Sequence, residues 1–395
     1  MSMGPPTLSF TIYGLDCGGT EKQLLALLPR LRKRGWRSEI VVLGRGGVLK
    51  PSFVHAGLEI HEPPLPPSIG RSSSLRFAIG AILGTLVLAF HTRLGTRSLL
   101  VGVLPAGSIV AGLVALFRPK RRHVVLRRNR NHYQQKRPVL GGLERALNRR
   151  VAVAIANSRA VAQDLLDDGI KADRIAIIPN GVDVEHMASG DRSAARAAMG
   201  ILDDEIVFLC VANLIPYKGC FDLVEALAIA NGRLGRWRLL MAGSDKGIGT
   251  ELAARARRAG ISDRIDLLGT RDDVPVLLAA ADVGVLVSHE EGFSNSVLES
   301  MAAGLPMIVS DVGGNAEAIG VGEGGIVVPP RNTAALAEAL VVLGNNEAMR
   351  LRCGRFGRER AHRLYTIDSC VSSLIRVLET AVAGDPVPVD LRPRT

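Results

Sequence analysis

"VGVLVSHEEGFSNSVLESMAAGLPMIVSDVGG" (283–314) reads as strand, loop, helix and strand. The run 283–288 is apolar, a helix-periodic run follows the loop, Gly-Leu-Pro at 304–306 stops it, and "MIVSD" (307–311) is apolar again. A helix joining two such strands is the unit from which parallel sheets are built. Ligands of open parallel sheets bind beyond the carboxyl ends of the strands, where loops feed helix N-termini. His289 to Ser296 occupy that position.

The same alternation runs through the chain. "TLSFTIYG" (7–14), the turn "LDCGGT" (15–20) and the helix-periodic "EKQLLALLPRLRKRG" (21–35) open it. Strands follow at "SEIVVLG" (38–44), "SLLVGVL" (98–104), "HVVLRR" (123–128) and "VAVAIANS" (151–158), with helices over 75–91, 106–117 and 159–168. A second series starts at "IVFLCVAN" (206–213). It continues through helix 220–230, "WRLLMAG" (237–243), helix 251–259, "RIDLLG" (264–269), helix 273–280, the quoted unit and "GIVVPP" (325–330). Such alternation implies parallel sheets covered on both faces, and 395 residues exceed one ordinary core. The fold class is therefore α/β with two domains, and the polar stretch 184–204 is the expected junction. Pro-Pro pairs at 63–64 and 66–67 mark an irregular loop, and 384–395 reads as a polar, Pro-rich tail.

Charge is divided unevenly. Residues 1–190 carry 27 Lys and Arg against 12 Asp and Glu, whereas 191–395 carry 22 against 26. A basic first half points to an acidic partner, such as a phosphorylated small molecule, anionic lipid or nucleic acid, or simply to a solvated basic face. Aromatics at 4% leave few platforms for stacking bases, which argues against nucleic acid. Five cysteines without a C-x-x-C pair indicate neither a disulfide framework nor a zinc site, so a reduced, cytoplasmic protein is expected. "MSMGPPTLSF" (1–10) lacks the basic and apolar regions of a secretory signal. The apolar "FAIGAILGTLVLAF" (77–90) is shorter than a bilayer span and reads as a buried helix, with a place on a membrane surface left open.

In the opening stretch, the amides of Gly292, Phe293, Ser294 and Asn295 precede a helix whose positive end suits phosphate oxygens. Glu291 and Glu299 are then available to hold hydroxyl groups. Amides for a diphosphate and carboxylates for sugar hydroxyls suit a nucleotide sugar. Ser296 and Glu299 also match a capping box, a purely structural role for Glu299.

The Glu291-x7-Glu299 block within "EEGFSNSVLESMAAGLPMIVSDVGG" (290–314) resembles the signature of the family-4 retaining glycosyltransferases. "GGTEKQLLALLPRLRKRGW" (18–36), "NSRAVAQDL" (157–165), "IPNGVD" (178–183), "VANLIPYKG" (211–219), "LLMAGS" (239–244) and "IDLLGTRDDVPVLLAAADVGVLVS" (265–288) follow the family's order. The resemblance implies a GT-B fold, two Rossmann-like domains facing across a deep cleft. Residues 1–183 would form the acceptor-side domain, completed by a returning helix 367–383, and 184–366 the nucleotide-sugar domain. It further implies hexosyl or N-acetylhexosaminyl transfer from a nucleotide diphosphate sugar to a glycan or lipid-linked acceptor, in bacterial-type polysaccharide biosynthesis. Neither cofactor nor bound metal is expected.

By the same resemblance, Glu291 contacts the transferred sugar, Glu299 the ribose, and Lys218 neutralises the diphosphate as it leaves. Gly18 and Gly19 close over the donor, while Gly243, Ser244, Thr270 and Arg271 edge the nucleotide pocket. Lys218 at a helix start and Gly18-Gly19 at a strand-to-helix turn also have ordinary structural readings. Two positions depart from the family. Asn213 stands where many members have an arginine, and Gly102 and Val103 stand where many have a histidine.

The run "RPKRRHVVLRRNRNHYQQKR" (118–137) has nine basic residues and no acidic one, which suggests a compensating cation. Arg127 and Arg128 end a strand and are expected to face the cleft and grip a donor or acceptor phosphate. The basic half and the 77–90 segment together suggest peripheral association with the cytoplasmic membrane face. A sugar-nucleotide epimerase or hydrolase, and a non-catalytic sugar-nucleotide-binding protein, are the alternative functions.

Overall fold

The computed structural model describes residues 7–44, 46–63, 73–90, 98–118, 121–130, 134 and 137–393. The first six residues, the Pro-rich loop from Pro64 onward, and Lys120 and Lys136 of the basic run lie outside the described residues. The chain forms two compact units, Met1–Asn180 with Ile367–Thr395, and Gly181–Thr366.

The first unit holds β1 (Thr7–Ile12), β2 (Arg37–Val42), β3 (Glu59–His61), β4 (Ser98–Val103), β5 (Arg122–Arg127), β6 (Val153–Ala156) and β7 (Ile175–Ile177). Their order is β3-β2-β1-β4-β5-β6-β7, every pairing parallel, so the chain reverses its direction of travel across the sheet between β1 and β4. On one face Leu8, Phe10 and Ile12 pack with Leu24, Leu27, Leu28 and Leu31 of helix Gly19–Lys33 and with Val371, Leu374, Val377 and Leu378 of helix Ile367–Ala383. On the other, Val41, Leu43 and Leu100 pack with Val110 and Val114 of helix Leu104–Phe117 and Leu88 of helix Ser73–Phe90.

Helix Ser73–Phe90 packs on the sheet through Leu88. A Cβ on Gly80 would stand 2.2 Å from the Leu43 carbonyl oxygen, so glycine lets this helix lie against the sheet. Ile82 and Leu86, at 63% and 48% exposure, face outward, which corrects the expectation of a wholly buried helix. Among the described residues no helix is long and apolar enough to cross a membrane. The C-terminal stretch also differs from a free polar tail. Val387 is fully buried and its N–H donates to the Asp173 carbonyl at 2.8 Å, while Arg376 pairs with Asp390 at 2.8 Å.

The second unit holds β8 (Ile206–Val211), β9 (Trp237–Ala242), β10 (Ile265–Gly269), β11 (Val283–Leu286), β12 (Met307–Ser310) and β13 (Gly325–Val328). They are ordered β10-β9-β8-β11-β12-β13, again all parallel, with the reversal between β8 and β11. The stretch expected as a junction is built into this unit. Asp183 and Asp191 cap helices Val184–Met187 and Arg192–Ala198, and the buried Arg196 donates to the carbonyl oxygens of Ala280 and Glu205 at 3.1 and 2.7 Å.

Leu378, 1% exposed, joins the last helix to the first sheet. Leu378→Ala is expected to destabilise the first unit by about 2–5 kcal/mol, read as a lower urea midpoint for that unit's transition with the second unit's transition unmoved.

Candidate active site

The loops after β8 and β11 leave adjacent strands at the reversal point of the second sheet, where a crevice forms outside the strand ends. Lys218 comes from the first loop and Glu291 from the second, and their side chains meet with Nζ 2.5 Å from Oε1. Both are largely shielded, at 19% and 11% exposure. The same carboxylate oxygen accepts from Ser288 Oγ at 2.7 Å, and the Ser288 carbonyl accepts from Ser310 Oγ at 2.5 Å. Burial pulls the Lys218 pKa down, but the charge and hydrogen bond of Glu291 outweigh it, so the pKa stands above the ordinary 10.5. Stability from the pair is therefore fully present below that ordinary value and is lost as pH rises through the raised one.

Two glycines let the loops approach. Gly219 has φ +71, and a Cβ there would lie 2.1 Å from the Val287 carbonyl oxygen. Gly313 has φ +57, and its Cβ would lie 2.2 Å from the Glu291 carbonyl oxygen, while the Gly314 N–H donates to the Gly292 carbonyl at 2.8 Å. His289 N–H donates to the Tyr217 carbonyl at 2.7 Å, and the His289 ring bonds Asp222 at 2.7 Å. The histidine thus ties the two loops together.

Helix Asn295–Ala302 starts beside this pair. Its N-cap is Ser294, whose own side chain makes no capping hydrogen bond, so Ser296 is not the N-cap that the expected Ser296–Glu299 capping box requires; the Ser296 hydroxyl lies 3.1 Å from that of Ser294. The N-cap falls two residues earlier than the box requires, which leaves Ser296 inside the helix. Glu299 is half-buried on the first turn and a half of it. Phe293 turns inward, 4% exposed and edge-on to Tyr365 at 5.5 Å, so its ring belongs to the core.

The remaining expected residues of this unit line the neighbouring strand ends. Asn213 Oδ1 accepts from the Ser244 N–H at 3.2 Å, linking the loops after β8 and β9. The Gly243 N–H donates to the Gly269 carbonyl at 2.8 Å, and a Cβ on Gly243 would stand 2.0 Å from the Ala212 carbonyl oxygen. Arg271 is held by Asp273, with Nε 2.7 Å from Oδ1. Asn213 thus carries a bracing bond, where a cation was the family pattern.

In the first unit Gly18 is the N-cap of helix Gly19–Lys33, and its N–H donates to the Asp16 carbonyl at 2.8 Å. Arg127 is not at an open strand end: it is 0% exposed and forms a buried ion pair with Glu144. Glu144 lies on helix Pro138–Asn148, and burial pushes its pKa up to about 7 against the opposing charge of Arg127. Arg128, the next residue, is half-buried and donates to the side-chain oxygen of Asn180. Ser288, Ser310 and Gly313 were not anticipated. A lone serine closing an otherwise apolar strand, as in "VGVLVS", is the available signal for Ser288.

The chain matches the family "Glycosyl transferases group 1" over residues 191–360 and "Glycosyltransferase Family 4" over 17–186. A D-inositol 3-phosphate glycosyltransferase of Geodermatophilus obscurus is 34% identical over 251 residues, covering 58% of this chain and 54% of that protein. A phosphatidyl-myo-inositol mannosyltransferase of Mycobacterium leprae is 28% identical, over 84% of this chain and 75% of that protein. The chain spans about half the length of the first of these curated relatives. Among solved structures, Anabaena HepE in complex with UDP-glucose is similar with a TM-score of 0.80 at 20% identity, covering 95% of this chain and 99% of that one. That likeness gives the fold.

Gly219→Ala forces an alanine into the left-handed region, at about 1–2 kcal/mol, and into the Val287 carbonyl. Lower thermal stability by at least that amount is expected in calorimetry, with loss of whatever nucleotide affinity the wild-type site has.

Proposed function

This chain belongs to glycosyltransferase family 4, and we propose that it transfers a sugar, with retention, from a nucleoside diphosphate donor to a phosphorylated polyol or lipid-linked acceptor. The observation that carries the reading is the Lys218–Glu291 pair at the reversal of the second sheet, just ahead of the start of helix Asn295–Ala302. The relatives that act on inositol phosphate or phosphatidylinositol, and the UDP-glucose bound by HepE, support this choice of substrates.

Each residue then has a task. The arriving diphosphate competes with Glu291 for the Lys218 ammonium, and the amides of Gly292 to Ser296 take its oxygens at the positive end of the helix. Released from the lysine, Glu291 accepts hydrogen bonds from the hydroxyls of the transferred sugar, while Glu299 holds the ribose. As the bond between anomeric carbon and phosphate oxygen breaks, negative charge grows on the leaving group, where Lys218 is worth most. The acceptor hydroxyl forms the new bond on the same face and passes its proton to a leaving-group oxygen. Gly243, Ser244 and Arg271 border the base. No resident metal or cofactor is required by these steps. Arg128, and not Arg127, is assigned the acceptor phosphate, because Arg127 is fully enclosed with Glu144.

Transfer assays with UDP- and GDP-sugars against inositol phosphate and phosphatidylinositol test the reading. Lys218→Ala is expected to lower kcat by about a hundred- to a thousand-fold, and Glu299→Gln to raise the donor KM. Donor breakdown equally fast with and without acceptor would replace transfer by hydrolysis or epimerisation. For Arg128→Ala the expectation is a raised acceptor KM; unchanged KM values for both substrates would remove this residue from the site.

A further inference from the structure

The basic run 118–137 is split between two ends of one strand. Arg127 and Arg128 close β5, whereas Arg121, Arg122 and His123 open it, at the amino-terminal edge of the first sheet. A cavity of about 610 Å³ lies at that edge, lined by these three residues, by Arg150 and Arg174 ahead of β6 and β7, and by the ends of helices Leu104–Phe117 and Ile367–Ala383. The loops carrying Gly18 and Arg128 leave the opposite edge of the same sheet.

Two side-chain nitrogens of residues that line the cavity lack hydrogen-bond partners among the described residues. His123 is 3% exposed, and its Nε2 has no hydrogen-bond partner among the described residues. Arg121 Nη1 is likewise buried and unbonded. Two other arginines are engaged structurally. Arg122 donates to the carbonyls of Ala381 and Ala383 at 2.9 and 3.2 Å, and Arg174 donates to that of Val151 at 3.1 Å. Arg150 stands exposed at the rim. Burial, and then the nearby charge of Arg118, lower the Arg121 pKa; Glu39 of β2 opposes them. Burial also holds the His123 pKa down to about 4, so the ring is neutral at physiological pH. The acids at the cavity, Asp173 and Asp385, are both exposed. A buried donor without a partner is destabilising, and a compact anion with several acceptor oxygens would satisfy it.

We propose that this cavity binds a phosphate group, with His123 as the Nε2–H tautomer and Arg121 donating to its oxygens and Arg150 closing over it from the rim. The site is separate from the sugar-transfer chemistry and takes either the headgroup of an anionic lipid or a soluble phosphate ester.

The test is histidine ring NMR of the full chain, with the His123 signal assigned through His123→Gln and titrated with inorganic phosphate, glycerol 3-phosphate, and vesicles with or without phosphatidylglycerol. Phosphate is expected to move the His123 ring signal and raise its pKa. Arg121→Ala and the exposed Arg150→Ala should weaken the effect at least tenfold, while Lys218→Ala leaves it unchanged. Saturation by glycerol 3-phosphate with no effect of vesicles identifies a soluble ester. Co-sedimentation with phosphatidylglycerol vesicles that moves the same signal and is lost in Arg150→Ala identifies a lipid headgroup. A His123 signal that responds to none of these probes, or responds equally in Arg150→Ala, overturns the proposal.

Discussion

The contact between Lys218 and Glu291 organises the second unit's site. Two opposite charges, each mostly withdrawn from water, are held 2.5 Å apart by loops from neighbouring strands. Such a pair is stable only when its remaining hydrogen-bonding capacity is met. Ser288 bonds the same carboxylate oxygen, Ser310 fixes the Ser288 backbone, and His289 joins the loops. Gly219 and Gly313 are there because any side chain would push the loops apart. The topology supplies the rest, since only at the reversal between β8 and β11 do adjacent parallel strands send their following helices to opposite faces of the sheet. In the proposed reaction the arriving diphosphate meets a cation already in place, and displaces one carboxylate to use it.

Sequence patterns carried much of this. The strands 206–211, 237–242, 265–269, 283–286 and 307–310 are short apolar runs between turn signals, and all were legible. The three-residue β3 was not, because Glu59 to His61 is a half-exposed edge with no apolar run. Helix Pro138–Asn148 was hidden by its Gly-Gly pair, and with it went the meaning of Arg127. That arginine ends a strand as expected, but its partner Glu144 sits 17 residues further on, in the unread helix. The capping box failed for a related reason: two serines precede Glu299, and only backbone geometry chooses Ser294. Local periodicity reports which residues are apolar together; it does not report which distant acid meets which base.

The first unit's excess charge has a corresponding division of labour. At the carboxyl edge of its sheet Arg128 leans on Asn180, and Arg127 is spent on an internal pair. At the amino-terminal edge Arg121, Arg150 and His123 surround a cavity with few acids to answer them. A basic composition thus resolves into one enclosed pair, one strand-end residue and one cluster, each with different consequences.

The most direct measurement is a crystal structure of this protein soaked with a nucleotide diphosphate sugar. The account predicts the diphosphate within hydrogen-bonding distance of Lys218 Nζ, the Lys218–Glu291 contact lengthened beyond its 2.5 Å, and the ribose on Glu299. A nucleotide bound elsewhere, with that contact unchanged, would contradict it.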